Sequence, residues 1–202
     1  MRFWPPFHRY LLDIISDFPR KMIFRAPNNI SLRMTVDHLE STESSGSCLT
    51  QFNHDTRLWE CYHSPETIGH HRLFIWVLNI DSDDQWATAV RFDVFVKERT
   101  ESLYYPITSN LFNALRCQLI TPMNGKFSRE SLPSDIILRV PNVRHLQLQI
   151  DEQTLIEGTI FQDDIYRLKI PPFVSDHVKK FLLMGLCYND TFYSELITYK
   201  IE

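Results

Sequence analysis

The side chains in this 202-residue sequence that could do chemistry are four cysteines, eight histidines and the acidic run Asp81-Ser82-Asp83-Asp84. Cys61, in Trp59-Glu60-Cys61-Tyr62-His63, has a histidine two residues on, the pairing from which a thiolate–imidazole nucleophile is built. Such a thiol needs a helix N-terminus or a neighbouring cation to lower its pKa. This segment reads as a strand, where residues two apart share a face merely as sequence neighbours. Cys61 is therefore expected to be structural. Cys48, Cys117 and Cys187 form no CxxC pair with it or with each other, so the usual zinc spacing is missing and buried reduced thiols are expected.

His54, His63, His70 and His71 crowd into eighteen residues. A metal site would need them to converge from separate strands with carboxylate or thiolate help, and adjacent His70 and His71 point to opposite faces when extended. Loop or surface histidines are the expectation. Asp81 to Asp84 resembles half a calcium loop, but counting from Asn79 the sixth position is Asp84, where glycine is required, and the twelfth is Val90, where glutamate is required. A solvated hairpin turn fits better. With five glycines and no GxGxxG, GxxxxGK[ST] or GxSxG, the chain lacks the loops that cradle phosphate or present a nucleophilic serine. The expectation is no catalytic, cofactor-binding or metal-binding residue, and no enzyme in this chain.

What remains is architecture. A hydrophobic share of 44% and a charged share of 23% suit a globular chain, and fourteen Phe, eight Tyr and four Trp favour strands. The net charge of -4 and the pI near 6.1 give no footprint for nucleic acid. No stretch approaches the ~20 apolar residues of a spanning helix. Asp13 interrupts the apolar run near the start and no cleavage site follows it, so a cytoplasmic protein with no membrane partner is expected. The sequons at Asn29 and Asn189 are then chance matches.

Residues 19–37, PRKMIFRAPNNISLRMTVD, align without a gap on residues 133–151, PSDIILRVPNVRHLQLQID, at an offset of 114. Pro19, Arg25, Pro27, Asn28, Leu32 and Asp37 recur as Pro133, Arg139, Pro141, Asn142, Leu146 and Asp151. Further on, an apolar run, a polar turn and a second run occur in both halves, the signature of a closing β-hairpin. Ile30, Leu32, Met34 and Val36 alternate with polar residues, as do Val90, Phe92, Val94 and Val96. The second half holds candidate strands near 117–120, 136–140, 145–150, 154–161, 165–170, 179–188 and 194–201. That pattern predicts an all-β fold of two tandem immunoglobulin-like β-sandwich domains, 1–100 and 101–202. The first is expected to have a degenerate first strand and a Ser-rich insertion over residues 40–50. The polar join at 98–106 is short enough to hold the domains close together. Short helices are expected over Arg9–Ser16 and Ser109–Cys117. Trp59, Trp76 and Trp86 are expected in the core, and Trp4, outside the repeat, on an inter-domain or partner surface.

The segment CQLITPMNGKFSRESLPSDIILRVP (residues 117–141) resembles the immunoglobulin-like repeats of the kyphoscoliosis peptidase and hillarin family. So do Ser64-Pro65-Glu66-Thr67-Ile68-Gly69-His70-His71-Arg72-Leu73-Phe74-Ile75 and Tyr193-Ser194-Glu195-Leu196-Ile197-Thr198-Tyr199. In that family such repeats follow a transglutaminase-like domain with a Cys, His and Asp arrangement that this chain lacks. The resemblance implies a non-catalytic interaction or scaffolding module with a protein partner, a cytoskeletal one, and an intracellular, cytoskeleton-associated location. Its alternative is the accessory C-terminal part of a transglutaminase-like cysteine peptidase. A small-ligand or carbohydrate-binding sandwich is a third reading, marked by an exposed aromatic pair on one sheet face.

Overall fold

The computed structural model describes residues 9–14, 20 and 38 by their backbone alone, and residues 21–37, 48–64, 67–81, 85–98, 103–150 and 155–202 in full. Trp4, Ser82 to Asp84 and most of the Ser-rich segment lie outside the described residues.

The first half runs β1 (Arg9–Ile14), β2 (Arg20–Phe24), β3 (Ile30–His38), β4 (Cys48–Asn53), β5 (Leu58–His63), β6 (Gly69–Asn79) and β7 (Ala87–Val96). The second half runs β8 (Ile107–Thr108), α1 (Asn110–Ala114), β9 (Gln118–Thr121), β10 (Lys126–Phe127), β11 (Asp135–Arg139) and β12 (Val143–Gln149). It continues with β13 (Leu155–Glu157), β14 (Thr159–Gln162), β15 (Ile165–Lys169), β16 (Lys180–Cys187) and β17 (Ser194–Ile201).

In the second half one sheet has the order β14-β15-β11-β9 and the other β10-β17-β16-β12-β13, with β8 also on β17. These are the A-B-E-D and C-F-G sheets of an immunoglobulin sandwich, with β10 added parallel to the G strand and β13 beside C. The first half repeats the plan with sheets β2-β5-β4 and β1-β7-β6-β3. Its C-F-G strands are β3, β6 and β7, and β1 lies parallel to β7. Among the described residues its other sheet holds B, E and D but no A strand. The chain is two tandem immunoglobulin-like β-sandwiches.

The repeat at offset 114 thus falls on β2–β3 and β11–β12, the B and C strands, and the closing hairpins are β6–β7 and β16–β17. Period two explains both cores. Leu32, Met34 and Val36 of β3 meet Trp59 and Cys61 of β5, Leu73 and Ile75 of β6 and Val94 of β7. In the second half Ile136, Leu138, Leu146, Leu148, Leu168, Phe181, Leu183 and Tyr199 form the equivalent layer. Each such side chain, fully buried, contributes roughly 1.5–3 kcal/mol.

Three local expectations change. Arg9–Ile14 is a strand rather than a helix: its backbone pairs in register with Arg91–Val96, and tertiary pairing overrides a weak local periodicity. The Ser-rich segment ends earlier than expected, because Cys48, Leu49 and Thr50 already belong to β4. The strand expected over 154–161 splits at Gly158 into β13 and β14, which sit in different sheets. A Cβ at Gly158 would lie 3.1 Å from the Leu146 carbonyl oxygen, so glycine suits the crossing. Two-residue strands β8 and β10 carry no periodic signal. The helix expected over Ser109–Cys117 forms as α1, with the Ser109 hydroxyl accepting from the Phe112 N–H at 3.2 Å.

Candidate functional site

The two halves meet along β4. Strand alternation turns Phe52 into the first core, and the Thr50 hydroxyl accepts from the Met34 N–H at 2.8 Å. The same alternation turns Leu49 outward, where it joins the core of the second half with 1% exposure. Backbone continues the contact: Phe52 N donates to the Cys117 carbonyl at 3.3 Å. The Asn113 amide donates to the Thr50 carbonyl at 2.8 Å. Gln51 spans the junction, accepting from Leu119 N at 3.0 Å and donating to Glu60 Oε2 at 3.3 Å.

Arg116 closes the other side. It stands in the left-handed region at φ +57° just after α1, where the chain turns into β9. From there its Nη2 donates to the carbonyls of Pro27 at 3.4 Å, Ile30 at 3.1 Å and Asn28. The guanidinium also lies 4.9 Å from the centre of the Phe52 ring and 6.0 Å from that of Trp59. Burial lowers its pKa, and nearby Arg57 adds to the effect. Arg139 reaches Asp55 at 3.6 Å, and Arg33 bonds Asn110.

Below this clasp is a cleft of about 460 Å³. Lys21, Gln51, Asn53, Glu60 and Tyr62 line its first-half wall, and Leu103, Tyr105, Gln118, Leu119, Ile120 and Met123 the opposite one. Glu60 is 5% exposed and accepts from Asn53 Nδ2 at 3.0 Å, Tyr62 Oη at 2.7 Å, Gln51 Nε2 and the Lys21 ammonium. Burial opposes its charge, but these four donors outweigh burial and hold the carboxyl below its usual pKa. Four donors use the acceptor capacity of a carboxylate, so Glu60 pins the wall and is spent as a base.

Among the described residues, those singled out by sequence do not assemble into a reaction centre. Cys61 is buried and its thiol is pushed up to about 12 by burial, as is that of Cys48. Burial raises Cys117 well above the ordinary value and raises Cys187, where Asp190 adds to the effect. All four cysteines are free thiols. His63 and His71 are buried, correcting the surface expectation: both side chains point inward from β5 and β6, with ring centres 6.0 Å apart, and His71 Nε2 lies 2.8 Å from the Thr67 carbonyl. His54 lies at the junction, its ring nitrogen 2.8 Å from the Arg116 carbonyl. Among the described residues, no three His, Cys, Asp or Glu side chains are grouped to hold a metal ion.

Trp59 is in the core at the position equivalent to Tyr166. Trp76 is not, because it alternates with inward Leu73 and Ile75; its indole lies on the outer face of β6, partly buried and bonded to the Thr35 hydroxyl at 2.8 Å. Phe74 is on the same face, with ring centres 6.1 Å apart. Further along, His70 and Phe95 pair at 4.7 Å, and between the aromatics Arg72 and Arg91 reach Asp93 at 3.6 and 4.0 Å. Counting parity along β6 alone would have placed this row outward. No comparable pattern in the sequence marks the junction, where Gln51 stands on β4 and Arg116 in the turn after α1.

No family model matches the chain, and no curated protein matches it. The solved structures it is similar to include titin domains A168–A169 (9% identity, 96% of this chain and 94% of that chain, TM-score 0.27). Others are the titin Ig tandem A164–A165 (11% identity, 96% and 93%, TM-score 0.28) and the N-terminal four Ig domains of Dscam1 (11% identity, 95% and 52%, TM-score 0.26). Scores this low carry no argument, so the fold class rests on the strand orders given above.

Proposed function

We propose that the chain is a non-catalytic tandem immunoglobulin-like module, with domains 1–100 and 101–202, for protein–protein interaction. One observation carries the reading: the outer face of β3, β6 and β7 presents Trp76, Phe74 and Phe95 with Arg72 and Arg91 between them. Aromatic residues and arginine are the types enriched in the energetic centres of protein interfaces. The thiols are held protonated, and the best-placed carboxylate is consumed by four donors, which supports a non-enzymatic role. The proposed cytoskeletal partner rests on the resemblance to the kyphoscoliosis peptidase and hillarin repeats, and the proposed cytoplasmic location on that resemblance together with the sequence expectation above.

The test is co-sedimentation of the intact chain with actin filaments and with microtubules, alongside cross-linking in cell extract. The expected result is a captured partner that is lost with Trp76→Ala and with Arg91→Glu but kept with Arg129→Ala, a change remote from the face. Capture indifferent to Trp76 and Arg91 would remove the assignment of this face.

A further inference from the structure

Among the described residues, β2 and β14 are edge strands with exposed apolar side chains, and their flanking charges are opposite. In the second half, β9 lies against β11, with Thr121 opposite Ile137 and Leu119 opposite Leu138. The repeat puts Ile23 and Phe24 of β2 at the positions of Ile137 and Leu138. No described strand lies against that edge of β2, where Ile23 is 56% exposed. The sequence ahead of β1 contains Pro5-Pro6, which bring no N–H to a ladder. The strand β14 ends its own sheet with all four residues exposed, Ile160 at 59% and Phe161 at 71%. An apolar edge of this kind is a template for another strand.

Charge selects which edges match. Exposed Lys21 and Arg25 stand at the two ends of β2, and exposed Glu157 and Asp163 flank β14. Lys21 also meets Glu60, which leaves Arg25 the stronger cation of the two. Asp164 is turned to Arg139 at 3.2 Å, and Arg167 of the adjoining β15 to Asp135 at 2.6 Å, so neither changes this balance. Pairing β2 with β2, or β14 with β14, sets like charges together, which destabilises a ladder. Pairing β2 with β14 sets opposite charges together at both ends, whichever way the strands run.

We propose that the chain associates with further copies of itself by strand addition, the β2 edge of one copy receiving β14 of the next. The joined sheet runs from β4-β5-β2 of one copy into β14-β15-β11-β9 of the other. The two edges are different surfaces, so the contact is heterologous and each added copy leaves one edge of each kind open. β14 is four residues long and its register against β15 breaks at Phe161, so each junction is short and the association weak. These edges are distinct from the β3–β6–β7 face, and the proposal stands or falls separately from the interaction reading.

The full-length chain is followed by sedimentation velocity from micromolar to millimolar concentration, at low and at high salt. The expected result is a mass that rises past the dimer with concentration and falls back with salt. Lysine blunts a strand edge, so Ile23→Lys at β2 and Phe161→Lys at β14 should each lower the association constant at least about tenfold. Both positions are exposed, and circular dichroism checks that each variant keeps its fold. Arg25→Glu, beyond the end of β2, should weaken association without touching the apolar edge. Mixed in equal amounts, the two lysine variants should form a dimer that grows no further. In that mixture only the intact β2 of the Phe161→Lys chain and the intact β14 of the Ile23→Lys chain can join. A native chain that stays monomeric would overturn the proposal, as would a dimer that Ile23→Lys leaves intact or a mixture of variants that fails to pair.

Discussion

The two halves fill the same sandwich plan by different means. In the second, β9 completes an A-B-E-D sheet, and the core phenol of Tyr166 donates to the Val143 carbonyl at 3.0 Å. In the first, the B-E-D sheet has no A strand among the described residues, and Trp59, at the position of Tyr166, buries an indole N–H without a partner. The opposite edge of that sheet, strand β4, is covered by the neighbour, through Cys117, Leu119 and α1. An exposed edge invites pairing with other chains, and here the protein supplies the cover itself. The lesson is that the less complete copy draws part of its closure from the more complete one.

This asymmetry can be broken most forcefully at Leu49. Leu49→Ala, a change in the first half, should destabilise the second by about 2–5 kcal/mol, because the cavity opens in that core. Hydrogen exchange at Leu146 and Leu148 would register the loss, and unchanged protection there would contradict it. Arg116→Ala should cost somewhat less, about 2–3 kcal/mol, for carbonyls that lose a charged donor. Its diagnostic is motion: backbone ¹⁵N relaxation should show the two halves tumbling with separate correlation times in the variant and a common one in the native chain.

The third effect is on pH. Glu60 has its pKa lowered in the folded state, so its contribution is present above the unfolded value of about 4.3 and is lost as pH falls through the folded value. Glu60→Gln should flatten that acid limb in urea melts taken from pH 6 downward, and an unchanged limb would assign the acid sensitivity elsewhere. The smallest effect is expected from Tyr166→Phe. It leaves the Val143 carbonyl without this donor and should cost about 1 kcal/mol in the second half.

How far the sequence discloses this molecule depends on what each residue answers to. Leu32 and Leu146, or Met34 and Leu148, answer to one layer and one period, so the B–C repeat and the closing hairpins were legible. Trp76 lies in a run, Leu73 to Leu78, that is apolar on both faces, which hides the fact that one face is only partly covered. His63 and His71 are polar by type yet buried by parity, and type misled. The junction was illegible because Gln51 and Arg116 gain their roles across it from residues 68–89 positions away, and no local pattern encodes such a meeting.

Leu49 carries one further consequence. A leucine from one copy in the core of the other ties the fate of both to a single event, so thermal melting should show one calorimetric transition for the whole chain. Cleavage of the polypeptide near residue 101 would then yield two fragments that separately expose apolar surface, and that regain order when mixed.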